Sequence, residues 1–490
     1  MLFNSLEFLL FFPVVTLLFF LLPHRFRWVL LLVASCFFYM FFKPIYILIL
    51  LITIIIDYYA GILIQNSPTK KKKKFYLIWS LVANISVLAI FKYFNFFNDN
   101  ITSVSEWLGY ENPIPYLTIL LPIGLSFHTF QAMSYTIEVY RGHQPAERHF
   151  GIYALYVMFY PQLVAGPIER PQNVLHQFHE KQYFDYDRVA DGLKLMAWGL
   201  FKKVVIADRL ALMVNQVYNN PTNYDGIYLI IATVFFAFQI FCDFSGYSDI
   251  ALGSAQVMGF KLMENFRRPY SAKTIKEFWG RWHISLSTWF RDYLYLPLGG
   301  NRVSKWRWYY NIFIVFLVSG FWHGASWNFI IWGALHGFYQ VFGFITAPQR
   351  NNLVKFLRLD NFPRLYNAIQ VVTTFSLVGL AWIFFRANTL TDAWYISTHL
   401  FQNFWGSTRE FAHQLLFENK ILGQYKQEFI LAVLFILLLE YVHYLQSQHK
   451  LRLQIAHFRP FYRWGIYSAY LLVFLYFGVF NSNSFIYFQF

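Results

Sequence analysis

The chain has 490 residues, a formal net charge of +15, and 57% apolar against only 13% charged residues. Soluble chains carry about 25% charged residues, so this one lacks the polar surface to stay compact in water. Aromatics at 22% exclude disorder, and two cysteines, Cys36 and Cys242, exclude a disulfide scaffold. An integral membrane protein is the class that remains.

A spanning helix needs about 17–20 mostly apolar residues. Such runs fall at 5–22, 28–42, 44–64, 75–97, 116–140, 149–165, 227–260 (one span or two), 308–322, 326–346, 367–386, 428–446 and 465–482. The sequence therefore predicts an all-α polytopic fold of about 11–13 transmembrane or re-entrant helices. Glu7 inside the first run, with no basic residue before it and no A-x-A site after it, makes residues 5–22 a permanent span rather than a leader.

Orientation follows from parity. His24–Arg27, Lys70–Lys74 and Arg141–His149 are each separated by two spans, so they share one side. All three are basic, which makes that side cytoplasmic and sets the N-terminus outside. Lys450, Arg452, Arg459 and Arg463 precede the last span, so Phe490 also falls outside. The stretch 387–427 falls outside too, with Trp394, Trp405 and Phe411 suited to lying on the membrane. The cations lie between apolar runs, so anionic lipid headgroups account for the net charge, and no nucleic-acid partner is expected.

No internal repeat or soluble domain is visible. The whole chain, 1–490, reads as one membrane domain: N-terminal helices over 1–150, a core over 151–346 and C-terminal helices over 347–490. Walker A, G-x-G-x-x-G, H-E-x-x-H, G-x-S-x-G and paired C-x-x-C motifs are absent. Asp243 and Asp249 in FCDFSGYSDI stand about 240° apart on a helix. They are expected to be separate buried acids, satisfied by neighbours such as Ser245 and Ser248, or to hold a site's shape. Cys242 reads as a small apolar residue more than a covalent carrier.

Of fourteen histidines, His128, His323 and His336 lie inside or against apolar runs. His323 is followed by Gly324, Ala325 and Ser326, small residues that would leave room for a substrate. A neutral imidazole there can act as a general base; a hydrogen-bonded structural histidine fits as well. His283 lies in Lys273–Tyr293, where Phe278, Trp279, Trp282, Leu286, Trp289, Phe290 and Tyr293 form a helical stripe. The pattern predicts an amphipathic interfacial helix with His283 at its polar edge. Arg267, Arg268, Lys273, Lys276 and Arg281 concentrate before and within it. They suit lipid headgroups or a phosphate-bearing donor such as coenzyme A, and spacing does not separate the two.

At these residues the sequence resembles the membrane-bound O-acyltransferase family, in its bacterial branch that acetylates alginate and peptidoglycan. The resemblance runs almost end to end. It is carried by MLFNSLEFLLFFPVV, YPQLVAGPIERP, FCDFSGYSDIALG, FWGRWHISLSTWFRDYLYLPLGGNR and SGFWHGASWNFIIWGALHG. It implies that His323 is the family's intramembrane catalytic histidine and His283 its second active-site residue. It further implies a ring of tilted helices around a tunnel and acetyl-CoA as cytoplasmic donor, with no metal. The protein would sit in the bacterial inner membrane, beside an extracytoplasmic SGNH-esterase-type partner that modifies a polysaccharide. Transfer of another acyl group, such as D-alanine from a carrier protein, is the same-family alternative. A polytopic transporter and a scaffold of a secretion complex are the others.

Overall fold

The structure is a computed structural model that describes all residues except 119–121, 165, 449–450, 481–484 and 487–490. Lys450 and the C-terminal Phe490 lie outside the described residues, as do Ala165 of the YPQLVAGPIERP motif and the end of the run 465–482. The described chain is almost wholly helical; its one sheet is the hairpin Lys420–Ile421 with Gln424–Tyr425. Among the described residues, five helices are long and apolar enough to cross a membrane, or six if the bent pair Trp327–Ile345 and Ala347–Phe356 counts as one span.

The chain divides into two compact units. Among the described residues one comprises Met1–Trp198 and Tyr247–Met263, the other Gly199–Gly246 and Glu264–Ile486.

In the first unit the helix starts follow local capping. Ser5 Oγ accepts from Phe8 N–H at the start of Leu6–Leu21, and Thr69 Oγ1 accepts from Lys72 N–H at the start of Lys70–Leu88. The cationic run Lys70–Lys74 is thus the first turn of a helix, and the helical segment continues to Trp107 through a π-turn at Ala89–Tyr93. The run 149–165 is broken instead, into Phe150–Met158 and Tyr160–Leu163. Three helices meet over Asp57, whose carboxylate accepts from Ser80 Oγ at 2.5 Å and from Asn84 Nδ2 at 2.9 and 3.0 Å.

The YPQLVAGPIERP segment acts here as a clamp. Glu169 Oε1 accepts from Met263 N–H at 2.5 Å. Gln177 exchanges two bonds with the Lys261 backbone, at 2.8 and 2.9 Å. The stretch 261–263, which precedes Asn265 in the chain, is thereby fixed.

The run 227–260 is one 33-residue helix, Gly226–Met258, not two spans. Its first part belongs to the second unit and its last to the first. In the second unit the hairpin of Lys305–His323 and Trp327–Ile345 packs backbone close to backbone. A Cβ on Gly320 would meet Phe329 O at 2.3 Å, and one on Gly333 would meet Phe316 O at 2.4 Å, so only glycine permits this backbone distance.

Candidate active site

The expected continuous helix through His283 is not what forms. Ile275–Trp279 stops at Gly280, a turn follows, and Ile284–Phe290 begins with His283 as its N-cap residue. His283 has φ of 44°, in the left-handed region that a residue with a Cβ rarely adopts. It is 1% exposed and not at a polar edge. The stripe pattern missed this because Asn265, distant in sequence, competes for the local backbone. Asn265 O accepts from Ile284 N–H at 3.0 Å, and Asn265 Oδ1 accepts from Ser285 N–H at 3.2 Å and Ser285 Oγ at 3.0 Å.

That arrangement favours one tautomer of the imidazole. A backbone N–H can only donate, so the Asn265 atom that receives Ser285 N–H is its oxygen. The same oxygen lies 3.2 Å from His283 Nδ1. A proton on Nδ1 satisfies this contact, with Ser285 Oγ 3.4 Å from the same nitrogen, and makes Nε2 the acceptor. Burial lowers the imidazole's pKa to about 3, so the ring is neutral near pH 7. The Phe244 ring packs edge-on at 4.7 Å from it, and Phe485 packs on Phe244 at 5.6 Å.

His323 ends Lys305–His323 and is 5% exposed. Trp322 and Trp332 flank it at 4.9 Å each, and Phe385 at 5.5 Å. Gly324 after it permits close packing: a Cβ there would meet the Phe329 ring at 2.1 Å. A row of indoles joins the two histidine neighbourhoods. Trp282 stands 5.0 Å from Trp382, which stacks at 5.8 Å on Trp332.

The other singled-out histidines are placed differently. His336 Nδ1 accepts from Trp279 Nε1 at 3.2 Å, a structural bond. His128 is buried in the first unit against Tyr39. Asp243 is satisfied by Lys203 at 2.9 Å and Ile486 N–H at 2.8 Å, not by Ser245, whose Oγ accepts from Lys202 instead. Cys242 is fully buried.

The five cations separate. Arg268, Lys273 and Arg281 line one cavity of about 640 Å³, together with Tyr270 and His443. Its wall includes Phe241, which lies 6.2 Å from Trp282, the neighbour of His283. Lys276 lines a second, largely apolar cavity. Arg267 is exposed and paired with Glu264 at 2.6 Å. Among the described residues, no group of three or more His, Cys, Asp or Glu side chains is placed to hold a metal ion. Sequence reasoning missed Asn265, Phe244 and Trp382; each acts through a contact distant in sequence that no local pattern signals.

Comparison with known proteins follows the same residues. Residues 143–386, which contain both histidines and all five cations, match the membrane-bound O-acyltransferase family. The probable alginate O-acetylase AlgI of Pseudomonas aeruginosa is 42% identical over 321 residues, 65% of this chain and 59% of that protein. The peptidoglycan O-acetyltransferase of Helicobacter pylori is 38% identical over 348 residues, 65% of this chain and 63% of its own. The teichoic acid D-alanyltransferase of Streptococcus thermophilus is 28% identical over 302 residues, 56% of this chain and 70% of its own. The chain thus spans about three-fifths of the length of the first two of these relatives, 59% and 63%. Through residues 143–386 the chain belongs to the membrane-bound O-acyltransferase family, as a multi-pass membrane protein.

Proposed function

We propose that this protein moves an acetyl group from cytoplasmic acetyl-CoA to the outer face of the inner membrane, for O-acetylation of an alginate-like exopolysaccharide or of peptidoglycan. The observation that carries the proposal is the convergence of Arg268, Lys273 and Arg281 on one cavity, in the same compact unit as His283 and His323. Coenzyme A bears phosphates, and guanidinium and ammonium groups bind phosphate by charge-assisted hydrogen bonds. The acceptor acts through an SGNH-type extracytoplasmic partner in this reading, and the basic loops face the cytoplasm.

The chemistry is transfer from a thioester. An acceptor hydroxyl attacks the acetyl carbonyl as His323 takes its proton. The C–S bond then breaks, and the proton returns to the leaving thiolate. His283, neutral and with Nδ1 facing Asn265 Oδ1, would act at Nε2 as a hydrogen-bond acceptor rather than as a donor to an oxyanion. That fits orienting the attacking hydroxyl or the departing thiol.

A second reading, transfer of D-alanine from a carrier protein, is favoured by the likeness to the teichoic acid D-alanyltransferase. One reconstitution separates them. Protein in vesicles is given labelled acetyl-CoA or a labelled D-alanyl carrier on the face bearing Lys70–Lys74. Label from acetyl-CoA reaching a trapped SGNH partner supports acetylation. Label arriving only from the carrier overturns it.

A further inference from the structure

We propose that the second cavity of this unit is a binding site for an anionic phospholipid, held by its acyl chain and its phosphate. The cavity measures about 570 Å³ and lies between residues 276–301 and the hairpin of Lys305–His323 with Trp327–Ile345. Its inner wall is apolar, with Trp279, Val315, Phe316 and Phe344. Two cations, Lys276 and Arg291, share its lining and are exposed.

The charges are available. Lys276 makes no ion pair among the described residues. Arg291 meets Asp292 through Nε at 2.8 Å, which leaves its Nη nitrogens for another anion. Aromatic residues with polar edges also line the cavity. Trp308 Nε1 donates to Tyr295 Oη at 2.9 Å, and both residues line the cavity. Trp308 belongs to the helix start Lys305-Trp306-Arg307-Trp308-Tyr309-Tyr310, where Trp306 is 80% exposed. Alternating cations and amphipathic rings of this kind sit at headgroup depth. An apolar slot whose lining includes two exposed cations complements a ligand with a hydrocarbon tail and an anionic head.

The site is distinct from the cavity of Arg268, Lys273 and Arg281, and the inference does not need the identity of the acyl donor.

The test uses the purified full-length protein in nanodiscs or mild detergent, with native mass spectrometry counting retained lipid. Phosphatidylglycerol should be retained over phosphatidylcholine of equal chain length, by about fivefold per cation at low salt. Lys276→Gln with Arg291→Gln should remove that preference and lower the phosphatidylglycerol count by one. Both side chains are exposed, so the variant folds, and its thermal midpoint in phosphatidylcholine checks this. Equal retention of the two lipids by the unmodified protein would overturn the proposal. So would displacement of the bound lipid by millimolar inorganic phosphate, which would mark a bare anion site. Displacement by coenzyme A would overturn it as well, by assigning the cavity to the donor.

Discussion

Asp243 and Lys203 form an ion pair at 2.9 Å in which both side chains are almost wholly buried. Lys203 is shared with Asp208 at 2.8 Å, and the second Asp243 oxygen accepts from Ile486 N–H. The next residue, Phe244, packs on His283, and Phe485 packs on Phe244. One carboxylate therefore ties a buried cation, the segment at 485–486 and the wall of the histidine site to a single helix.

Asp243→Asn should lower both stability and turnover. Removing one partner of a buried pair costs about 3–5 kcal/mol when the other charge is left alone. Here Asp208 remains, so about 1–3 kcal/mol is expected. Asp208→Asn removes a partner of the same lysine but does not touch the Phe244 position. It should cost similar stability while keeping more turnover per folded molecule. The check is the thermal midpoint in detergent alongside acyl transfer normalised to folded protein. Equal turnover losses in the two variants would show that Asp243 acts through stability alone.

Two buried groups give opposite pH slopes. Burial raises Glu169 from 4.5 to about 7, so between those values the folded state holds a proton the unfolded state lacks. Stability from this group is present below about pH 4.5 and is lost as pH rises towards 7. Burial lowers His283 from 6.5 to about 3, so the unfolded state holds the extra proton across that window. Its contribution is intact above about pH 6.5 and is lost as pH falls. Glu169→Gln keeps an acceptor for Met263 N–H, so it should match the parent near pH 4 and exceed its thermal midpoint near pH 8. Identical pH profiles for variant and parent would refute the assignment.

Much of this architecture is legible in the sequence because hydropathy acts residue by residue. The runs at 5–22, 28–42 and 367–386 emerge as the helices Leu6–Leu21, His24–Met40 and Pro363–Arg386. What was not legible depends on contacts distant in sequence. The run 227–260 leaves one span or two open, and it contains Gly246 and Gly253. These glycines permit close approach, Gly246 against Gly199 O and Gly253 against Gly192 O, within one unbroken helix. The turn at His283 requires Asn265, eighteen residues earlier, and nothing in the stripe announces it. Lys202 and Lys203 depress the hydropathy of 199–207, which hides a buried π-helical turn behind two cations.

The three cations of the 640 Å³ cavity should set donor affinity. Arg268→Gln with Lys273→Gln should raise the KM for acetyl-CoA about thirtyfold at low salt, at about 1 kcal/mol per charge removed, with kcat little changed. The increase should shrink at 0.5 M salt, where screening acts within about 4–5 Å. Arg267→Gln should change KM least, because its guanidinium is exposed and already meets Glu264. Initial-rate kinetics against salt decide this. A KM shift as large for Arg267→Gln as for the pair would remove the cavity from the donor's path.

The final prediction separates chemistry from packing at the two histidines. His323→Ala should reduce acyl transfer by about 10²–10⁴-fold, the range of a general base, in protein of normal yield and monodispersity. A residual rate above about a tenth of the parent would not fit that role. His283 needs a subtler replacement, since alanine would remove one of the three contacts to Asn265 Oδ1 and leave a void in a fully buried site. His283→Asn retains an N–H near the Nδ1 position but supplies nothing at Nε2. If Nε2 takes part in transfer, this variant should keep most of its thermal midpoint and lose at least about tenfold in kcat. If His283 only holds the turn, the variant should keep both. Should the two imidazoles act on one transition state, His323→Ala with His283→Asn should be scarcely slower than His323→Ala alone, because members of one catalytic unit are not additive. Multiplying losses would instead assign the histidines to separate steps. Full activity in well-folded His323→Ala would remove His323 as the base and reopen the transporter and scaffold readings.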